Sequence, residues 1–262
     1  MKKKFVNNLS QEIIINSPPQ RIISLVPSIT ELLFDLRLNT EIVGITKYCV
    51  HPKELIKNKT IVGGVQDIDF ATINFLKPDL IIANKEENDK DEIIQLSKNH
   101  TVLISDIKQF DDALKLIKHI GELTKKIEIA QAINKKIIDK FYNNKIAKKN
   151  IKVAYLIWKN PYITINKKTF INDMLEMCGL ENVFAEKKEP YPKISLNDIK
   201  QAKPDFVLLS SEPYSFNTDD AKKINENLPF LNIKFVDGEM FSWYGSHIIK
   251  SYDYFQTLFN EI

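Results

Sequence analysis

The feature that most constrains this chain is a regular alternation of apolar runs of strand length with segments of helical period. Strands are predicted at 21–26, 41–46 and 101–105, with helical segments between them. The first helix is expected to begin at Ser28 as its N-cap, with Glu31 at the capping-box position. Alternating β and α elements favour a mainly parallel sheet covered by helices on both faces.

The middle of the chain breaks this alternation. Between Phe110 and about Asn144 there is no proline, Gly121 is the only glycine, and apolar residues recur with nearly helical period. This pattern predicts one helix of about 30 residues, which would span on the order of 45 Å at 1.5 Å per residue. Such a helix is long enough to run across two lobes, and Gly121 marks the place where it could bend.

The second half of the chain resembles the first. Strands are predicted at 152–158, 205–210 and 233–237, again with helices between them. The segments LKPDLIIAN (76–84) and AKPDFVLLS (202–210) match in type, each with a helix end, Lys-Pro-Asp and a buried strand. Two half-chains built alike predict two α/β lobes.

The predicted fold class is therefore α/β, with two lobes that each hold a mainly parallel sheet flanked by helices, joined by one long rigid interdomain helix. The expected domains are an amino-terminal lobe at 1–108, the connecting helix at 109–145 and a carboxy-terminal lobe at 146–262.

Motifs and charge exclude several classes of function. With only 7 glycines, the chain contains no G-x-G-x-x-G, no G-x-x-x-x-G-K-[ST] and no G-x-S-x-G. The common nucleotide-binding loops and the hydrolase nucleophile elbow are therefore absent. The 37 basic and 34 acidic residues nearly balance, which gives no footprint for nucleic acid. We expect a protein that is not an enzyme and does not bind nucleic acid.

Four segments carry a resemblance to a known family. RIISLVPSITELLFDL, EIVGITKYCVHP, LKPDLIIAN and DMLEMCGLENVFAE...YPKISLNDI...KPDFVLLS follow one another in order over roughly residues 20–260. They resemble the helical-backbone substrate-binding proteins of cobalamin, siderophore and haem importers. The resemblance implies a receptor that holds cobalamin, haem or an iron-siderophore in a cleft between its lobes, at the carboxyl ends of the strands, for an ABC permease. We expect a monomer without a covalently bound cofactor.

Polar and aromatic side chains follow the predicted strands, where open α/β sheets bind their ligands. Both tryptophans of the chain lie at predicted strand ends, where a flat, partly apolar chelate needs ring faces; the alternative is that they pack the lobe edge. The densest aromatic and polar cluster is FSWYGSH at 241–247. The candidate ligand-binding residues are Ser28, Lys47, Tyr48, Asn84, Lys85, Glu86, Trp158, Tyr162, Glu212, Tyr214, Glu239, Phe241, Trp243 and Tyr244.

A metal site is a second possibility. Lys47, Cys49 and His51 alternate, so on an extended segment their side chains point the same way. Cysteine and histidine suit a soft or borderline metal, with His247 as a third ligand. This supports an alternative function, an intracellular metal or metal-cofactor carrier or chelatase-like protein that uses Cys49 and His51. The simpler interpretation is a buried cysteine and a histidine in a turn.

Partner and compartment are open at this stage. In the family, one exposed glutamate on each lobe docks to the permease. These positions fall here at Lys90 and Asn197, with Asp91, Glu92 and Asp198 as acidic neighbours. The start at 1–10 is charged like that of a signal peptide, but the apolar stretch at 13–16 is too short for one. The sequence as written predicts the cytoplasm, whereas the resemblance implies the periplasm or the cell surface.

Overall fold

The computed structural model describes residues 2–6, 12–16, 18–147 and 150–262, so residues 7–10 of the charged start lie outside the described residues. The chain divides into two compact units. The first unit comprises Met1–Ile107, Asp111–Ile137 and Tyr244–His247. The second unit comprises Lys108–Phe110, Ile138–Trp243 and Ile248–Ile262. This division differs from the predicted boundaries in placing Asp111–Ile137 and Tyr244–His247 with the first unit.

The first unit is built on a parallel sheet. Its strands are β1 (Lys2–Val6), β2 (Glu12–Asn16), β3 (Ile22–Ser24), β4 (Ile42–Ile45), β5 (Thr60–Ile61), β6 (Leu80–Asn84) and β7 (Val102–Ser105). β1 and β2 pair with each other as an antiparallel hairpin. The other strands form a parallel sheet in the order β5-β4-β3-β6-β7. Every residue of β3, β6 and β7 is buried, because helices cover both faces of such sheets, and this explains their continuous apolar runs.

The helices of this part of the chain are α1 (Pro27–Asp35), α2 (Lys53–Ile56), α3 (Phe70–Leu76), α4 (Lys90–Ser97), α5 (Phe110–Leu123) and α6 (Ile127–Ile138). The prediction that Ser28 caps the first helix is wrong. Val26 is the N-cap of α1, and Ser28 lies inside the first turn. The reason is Pro27, which occupies the first helical position, where a missing N–H costs nothing.

The prediction of a single long connecting helix is also wrong. The helical segment is interrupted at Lys125, whose φ of 59° lies in the left-handed region. Beyond this turn α6 packs back along α5. A Cβ atom added to Gly121 would lie 2.3 Å from Cβ of Ala130, and Asn134 Nδ2 donates to the carbonyl of Leu114 at 2.9 Å. The segment is therefore a helical hairpin that belongs mainly to the first unit.

The second unit repeats the architecture with a smaller sheet. Its strands are β8 (Ile151–Leu156), β9 (Tyr162–Ile163), β10 (Leu180–Asn182), β11 (Lys193–Ile194), β12 (Phe206–Ser210) and β13 (Asn232–Val236). The parallel sheet has the order β10-β8-β12-β13, while β9 and β11 form a separate antiparallel pair. The predicted strands at 152–158, 205–210 and 233–237 correspond to β8, β12 and β13.

Helices alternate with these strands. They are α7 (Phe170–Met177), α8 (Leu196–Ala202), α9 (Thr218–Asn227), α10 (Glu239–Ser242) and α11 (Ile248–Glu261). A π-helical turn at Asp139–Asn143 follows α6, and a 3₁₀ turn at Gly245–His247 precedes α11. The predicted α/β class, with two mainly parallel sheets flanked by helices, is confirmed. Within the described residues, no helix combines the length and the apolar character needed to cross a membrane.

The Lys-Pro-Asp repeat marks equivalent positions in the two units. The carboxylate of Asp79 accepts hydrogen bonds from the backbone N–H groups just before β3, including that of Arg21 at 2.9 Å. The carboxylate of Asp205 accepts from the N–H of Lys152 at 2.7 Å, at the start of β8. Each aspartate thus fixes the entry of the corresponding strand, and the weak repeat in sequence is a repeat in structure.

Candidate functional site

The candidate site residues gather at one edge of each parallel sheet. We call this the carboxyl edge: the margin where β3, β4, β6 and β7 end in the first unit, and where β8, β12 and β13 end in the second. Because parallel strands end on the same side, the loops that follow them are neighbours. The sequence prediction of clustered side chains at the strand ends depended on this geometry.

Tyr48 is the exposed aromatic residue at the carboxyl edge of the first unit. It lies in the turn after β4, and 51% of its surface is exposed. Lys47 stands beside it, with Nζ 5.4 Å from the Tyr48 ring centroid and 2.7 Å from Oδ2 of Asp67. The hydrogen bond to Asp67 raises the pKa of Lys47. Tyr48 therefore presents a ring face to solvent, and Lys47 is held by an ion pair next to it.

The loop after β6 is shaped by Asn84. Its Oδ1 accepts from the backbone N–H of Glu86 at 2.7 Å, and its Nδ2 donates to Oγ of Ser105 at 3.1 Å. Asn84 is itself buried, so its amide organises the loop. The exposed side chains at this point are Glu86 and Lys85, and the latter is ion-paired with Asp106 at 3.0 Å.

Tyr244 is buried in the first unit. Its hydroxyl donates to Oε1 of Glu87 at 2.9 Å. Burial, together with the nearby Glu87 carboxylate, raises the pKa of Tyr244. Ser28, a candidate ligand contact, is likewise buried.

The alternation of Lys47, Cys49 and His51 does not produce a common direction. The N–H of Cys49 donates to the carbonyl of Thr46 at 3.1 Å, so the segment is a turn and not an extended strand. The Cys49 thiol points into the unit, 3.1 Å from Oγ1 of Thr30, whereas Lys47 is directed to the surface. The expectation of three side chains on one side is wrong.

The geometry does not assemble the predicted metal site. His51 and His247 approach each other, with ring centroids 6.1 Å apart. Across the part of the chain that the structure describes, no three His, Cys, Asp or Glu side chains form a group that could hold a metal ion. Burial raises the pKa of the Cys49 thiol, which opposes the thiolate form that binds metals.

Trp158 is the corresponding exposed aromatic residue of the second unit. It follows β8, its surface is 40% exposed, and its ring meets that of Tyr214 edge to face at 5.6 Å. The Tyr214 hydroxyl donates to Oδ2 of Asp220 at 3.2 Å, and Lys159 Nζ bonds to the other carboxylate oxygen. We call Trp158, Lys159 and Tyr214 the Trp158 face. Tyr162, also a candidate, is half-buried against the hydrophobic core.

Glu212 follows β12 and is largely enclosed. Burial raises the pKa of Glu212, and the nearby carboxylates of Glu239 and Asp237 raise it further. Hydrogen bonds from the side chains of Ser242 and Trp243 oppose this rise without cancelling it. Glu239 remains half-exposed.

The aromatic cluster at 241–247 is buried, contrary to the expectation that it offers ring faces. Trp243 is only 7% exposed and hydrogen-bonds to Glu212. Phe241 lies in the core, where its ring centroid is 5.3 Å from that of Tyr155 and 4.7 Å from that of Phe255. Of the two tryptophans, Trp158 presents its ring to solvent and Trp243 packs.

The sequence analysis missed two residues that organise these edges. Asp220 holds both Lys159 and Tyr214, and its signal was visible, because Asn217 precedes it by three positions in a capping box that starts α9. The sequence places Glu31 at a capping-box position, whereas in the structure its Oε2 lies 2.6 Å from Nδ1 of His247. No local pattern could indicate that contact, since 216 positions separate the two residues.

Comparison with known proteins identifies the family. A model of the periplasmic binding protein family matches residues 22–237. A vitamin B12-binding protein from Vibrio cholerae serotype O1 is 25% identical over 197 residues, which cover 74% of this chain and 71% of that protein. An uncharacterised ABC transporter substrate-binding lipoprotein from Bacillus subtilis is 29% identical over 188 residues, covering 68% of this chain and 59% of the relative.

Solved structures agree on the fold. The periplasmic vitamin B12-binding protein of Vibrio cholerae superposes with a TM-score of 0.78 at 21% identity, covering 93% of this chain and 98% of its own. The periplasmic heme-binding protein of Roseiflexus sp. RS-1 superposes with a TM-score of 0.77 at 16% identity, covering 92% of this chain and 98% of its own.

These comparisons confirm the resemblance and the expectation of a binding protein as opposed to an enzyme. They support neither the cytoplasmic compartment nor the alternative of a carrier or chelatase built on Cys49 and His51, because the relatives are described as periplasmic proteins or lipoproteins of ABC transporters. The family match extends from the start of β3 to just beyond the end of β13, and so includes the parallel strands of both units. The chain belongs to the periplasmic binding protein family.

Proposed function

We propose that this protein is the substrate-binding protein of an ABC-type uptake system and that its ligand is a metal chelate of the cobalamin, haem or iron-siderophore kind. The Vibrio cholerae protein is named for binding vitamin B12 and the Roseiflexus protein for binding heme, which supports this ligand class. The ligand is bound non-covalently, and the protein works as a monomer.

The observation that carries the proposal is the presentation of Trp158. A tryptophan with 40% of its surface exposed, held edge to face by Tyr214, offers an apolar ring at the carboxyl edge of its sheet. Tyr48 offers a second ring at the carboxyl edge of the first unit. Flat conjugated ligands gain contact area from such rigid ring faces at low entropic cost.

Polar side chains accompany both rings. Lys47 stands beside Tyr48, and Lys159 stands over the ring of Tyr214. Glu86 is exposed at the first edge and Glu239 is half-exposed at the second. Corrins, haems and many siderophores combine an apolar ring system with amide or carboxylate substituents, and this mixture of rings and charges suits them.

We further propose that the protein works outside the cytoplasmic membrane and delivers its ligand to a permease. The described relatives support this compartment. Asp91 is exposed in the first turn of α4, and Asn197 is exposed in the first turn of α8, where Asp198 completes a capping box with Ser195. Of the acidic side chains named here, Asp91 is therefore the one that we propose for contact with a basic partner.

A thermal-shift screen tests the ligand class. The purified chain is heated with cyanocobalamin, haemin and a set of ferric siderophores. A ligand at about 100 times its dissociation constant adds roughly 2.7 kcal/mol to the free energy of unfolding, which shifts the melting temperature by a few degrees for a chain of this size. We expect one chelate to give such a shift.

A matched pair of variants locates the site. Trp158→Ala removes the ring at the carboxyl edge, whereas Phe230→Ala removes a ring that is 62% exposed just before β13, at the opposite end of the same sheet. We expect the ligand-induced shift to shrink in the first variant and to persist in the second. Equal shifts in both variants would contradict a site at this edge.

A further inference from the structure

We propose that Asp220 is a positioning residue that holds the Trp158 face in the orientation that receives the ring of the ligand. This inference rests on the proposed function, which it extends from the exposed ring to the buried carboxylate behind it. Asp220 does not itself reach solvent, since it is only 2% exposed.

The geometry of the carboxylate supports this role. One oxygen of Asp220 bonds to Lys159 Nζ, and the other accepts from the Tyr214 hydroxyl at 3.2 Å and from the backbone N–H of Asn217 at 3.1 Å. Lys159 and Tyr214 come from loops that follow different strands, β8 and β12. A single carboxylate thus ties together two loops of the carboxyl edge and the start of α9.

The ring of Trp158 depends on that arrangement. The backbone of Trp158 is fixed, because its carbonyl accepts a hydrogen bond from the N–H of Ile163 at 3.0 Å. Among the described residues, the only aromatic ring in contact with the Trp158 indole is that of Tyr214. Tyr214 in turn lies between Asp220, the ammonium of Lys159 at 5.4 Å and the ring of Phe216 at 4.9 Å. Loosening Tyr214 would therefore free the Trp158 side chain to change rotamer.

The charges are consistent with an ordered network. Burial raises the pKa of Asp220, but hydrogen bonds from Lys159 and Asn217 outweigh it and leave the pKa below its ordinary value. The hydrogen bond to Asp220 raises the pKa of Lys159. A buried charge is tolerated only when it is paired and hydrogen-bonded, and Asp220 has three donors.

Helix capping alone does not account for Asp220. Asp198 occupies the same position in the capping box of α8, where its carboxylate accepts from the N–H and the hydroxyl of Ser195. Asp198 is the more exposed of the two, and among the described residues its hydrogen bonds with Ser195 stay within that box. Asp220 occupies the equivalent box at the start of α9, and it also accepts hydrogen bonds from two side chains of the carboxyl edge, Lys159 and Tyr214. Asp198 is therefore a matched control within the same unit.

The test compares Asp220→Asn with Asp198→Asn in titrations with cyanocobalamin and haemin. For whichever probe binds the wild type, we expect Asp220→Asn to weaken binding about tenfold, a ratio equivalent to ~1.4 kcal/mol, because the ring must be reordered on binding. Asp198→Asn is expected to leave the affinity unchanged. Equal affinities for the two variants would overturn the proposal.

A double-mutant cycle separates positioning from a general structural effect. If Asp220 acts through the indole, Trp158→Ala combined with Asp220→Asn binds no more weakly than Trp158→Ala alone. Additive losses would show that Asp220 acts elsewhere and would overturn the proposal. Should Asp220→Asn fail to fold, Tyr214→Phe replaces it, since this change removes the hydroxyl that bonds to Asp220 and keeps the ring.

A measurement without ligand distinguishes failure of this inference from failure of the proposed function. In a Trp243→Phe background, Trp158 is the only tryptophan, and acrylamide quenching reports its exposure. We expect Asp220→Asn to increase quenching and Asp198→Asn to leave it unchanged. If neither these probes nor the ferric siderophores of the thermal-shift screen bind the wild type, the ligand class is wrong. The quenching result alone then decides whether Asp220 positions the indole, and unchanged quenching would overturn that role.

Discussion

The Oε2 atom of Glu31 lies 2.6 Å from Nδ1 of His247, and both side chains are buried in the first unit. Glu31 belongs to α1, and His247 ends the short segment Tyr244–His247 through which the late part of the chain returns to that unit. The two atoms lie within hydrogen-bond distance, so this contact joins α1 to the returning segment. Together with the hydrogen bond from the Tyr244 hydroxyl to Glu87, this contact anchors the segment Tyr244–His247 to the rest of the first unit.

Removing either partner of this pair should destabilise the protein strongly. Each single variant removes one side of this buried hydrogen bond. Truncating one partner of a buried hydrogen bond costs about 1–3 kcal/mol. Urea unfolding of both single variants and of the double variant measures this cost. We expect the double variant to be little worse than either single one, and strictly additive losses would show that the two side chains do not act on each other.

Gly121→Ala tests whether the α5–α6 segment folds back. In a continuous exposed helix, this change would stabilise the protein by about 0.8–1.0 kcal/mol, because alanine is the better helix former. In the helical hairpin, the new Cβ would lie 2.3 Å from Cβ of Ala130, and overpacking of this kind costs about 1–3 kcal/mol. We therefore expect a lower free energy of unfolding for the variant. An increase in the free energy of unfolding would contradict the hairpin and support the single long helix.

Glu212 should make the stability depend on pH. Its pKa lies above the ordinary value of 4.5, mainly because of burial, so the folded protein binds this proton more tightly than the unfolded chain does. The contribution of Glu212 is thus fully present below 4.5 and is lost as the pH rises through the raised pKa.

Glu212→Gln removes this titration and measures it. The free energy of unfolding of the wild type, minus that of the variant, should fall as the pH rises above 4.5 and then level off. Urea unfolding of both proteins at a series of pH values provides the comparison. A difference that stays constant or rises with pH would mean that burial does not dominate at Glu212.

The Lys-Pro-Asp repeat gives a paired prediction. Lys77 and Lys203 both have φ of 47°, in the left-handed region, where each ends a helix as its C-cap. Glycine adopts this conformation without the strain that a Cβ atom causes, and that strain amounts to roughly 1–2 kcal/mol. Lys77→Gly and Lys203→Gly should therefore each raise the melting temperature, by similar amounts. A rise in one variant and a fall in the other would contradict the equivalence of the two turns.

Sequence reasoning recovered the parts of the fold that are encoded locally. The strands that became β3, β4, β7, β8, β12 and β13 were predicted within about two residues, because buried strands and amphipathic helices leave distinct patterns. The break at Lys125 left no such pattern, since neither glycine nor proline occurs there and the helical period continues beyond it. The contact of Gly121 with Ala130 decides the direction of α6, and that contact is tertiary.

The candidate site was predicted in its position but not in its detail. The parallel topology implies that side chains at strand ends gather at the carboxyl edge of each sheet. The structure places Tyr48 and Trp158 at these edges with exposed rings. Which aromatic rings would be buried was not readable, because Phe241 and Trp243 carry the same local signal as Trp158. Their burial depends on partners such as Phe255 and Glu212, which are distant in sequence.

Equilibrium titration of the intact chain with cyanocobalamin, haemin and the ferric siderophores of the thermal-shift screen, monitored by calorimetry, tests the central claim most directly. Two variants accompany the wild type: Trp158→Ala at the carboxyl edge of the second unit, with Phe230→Ala as an exposed aromatic control at the opposite end of the same sheet. We expect saturable one-to-one binding of one chelate, weakened by Trp158→Ala and unaffected by Phe230→Ala. No saturable binding of any of these ligands, or equal weakening in both variants, would contradict it.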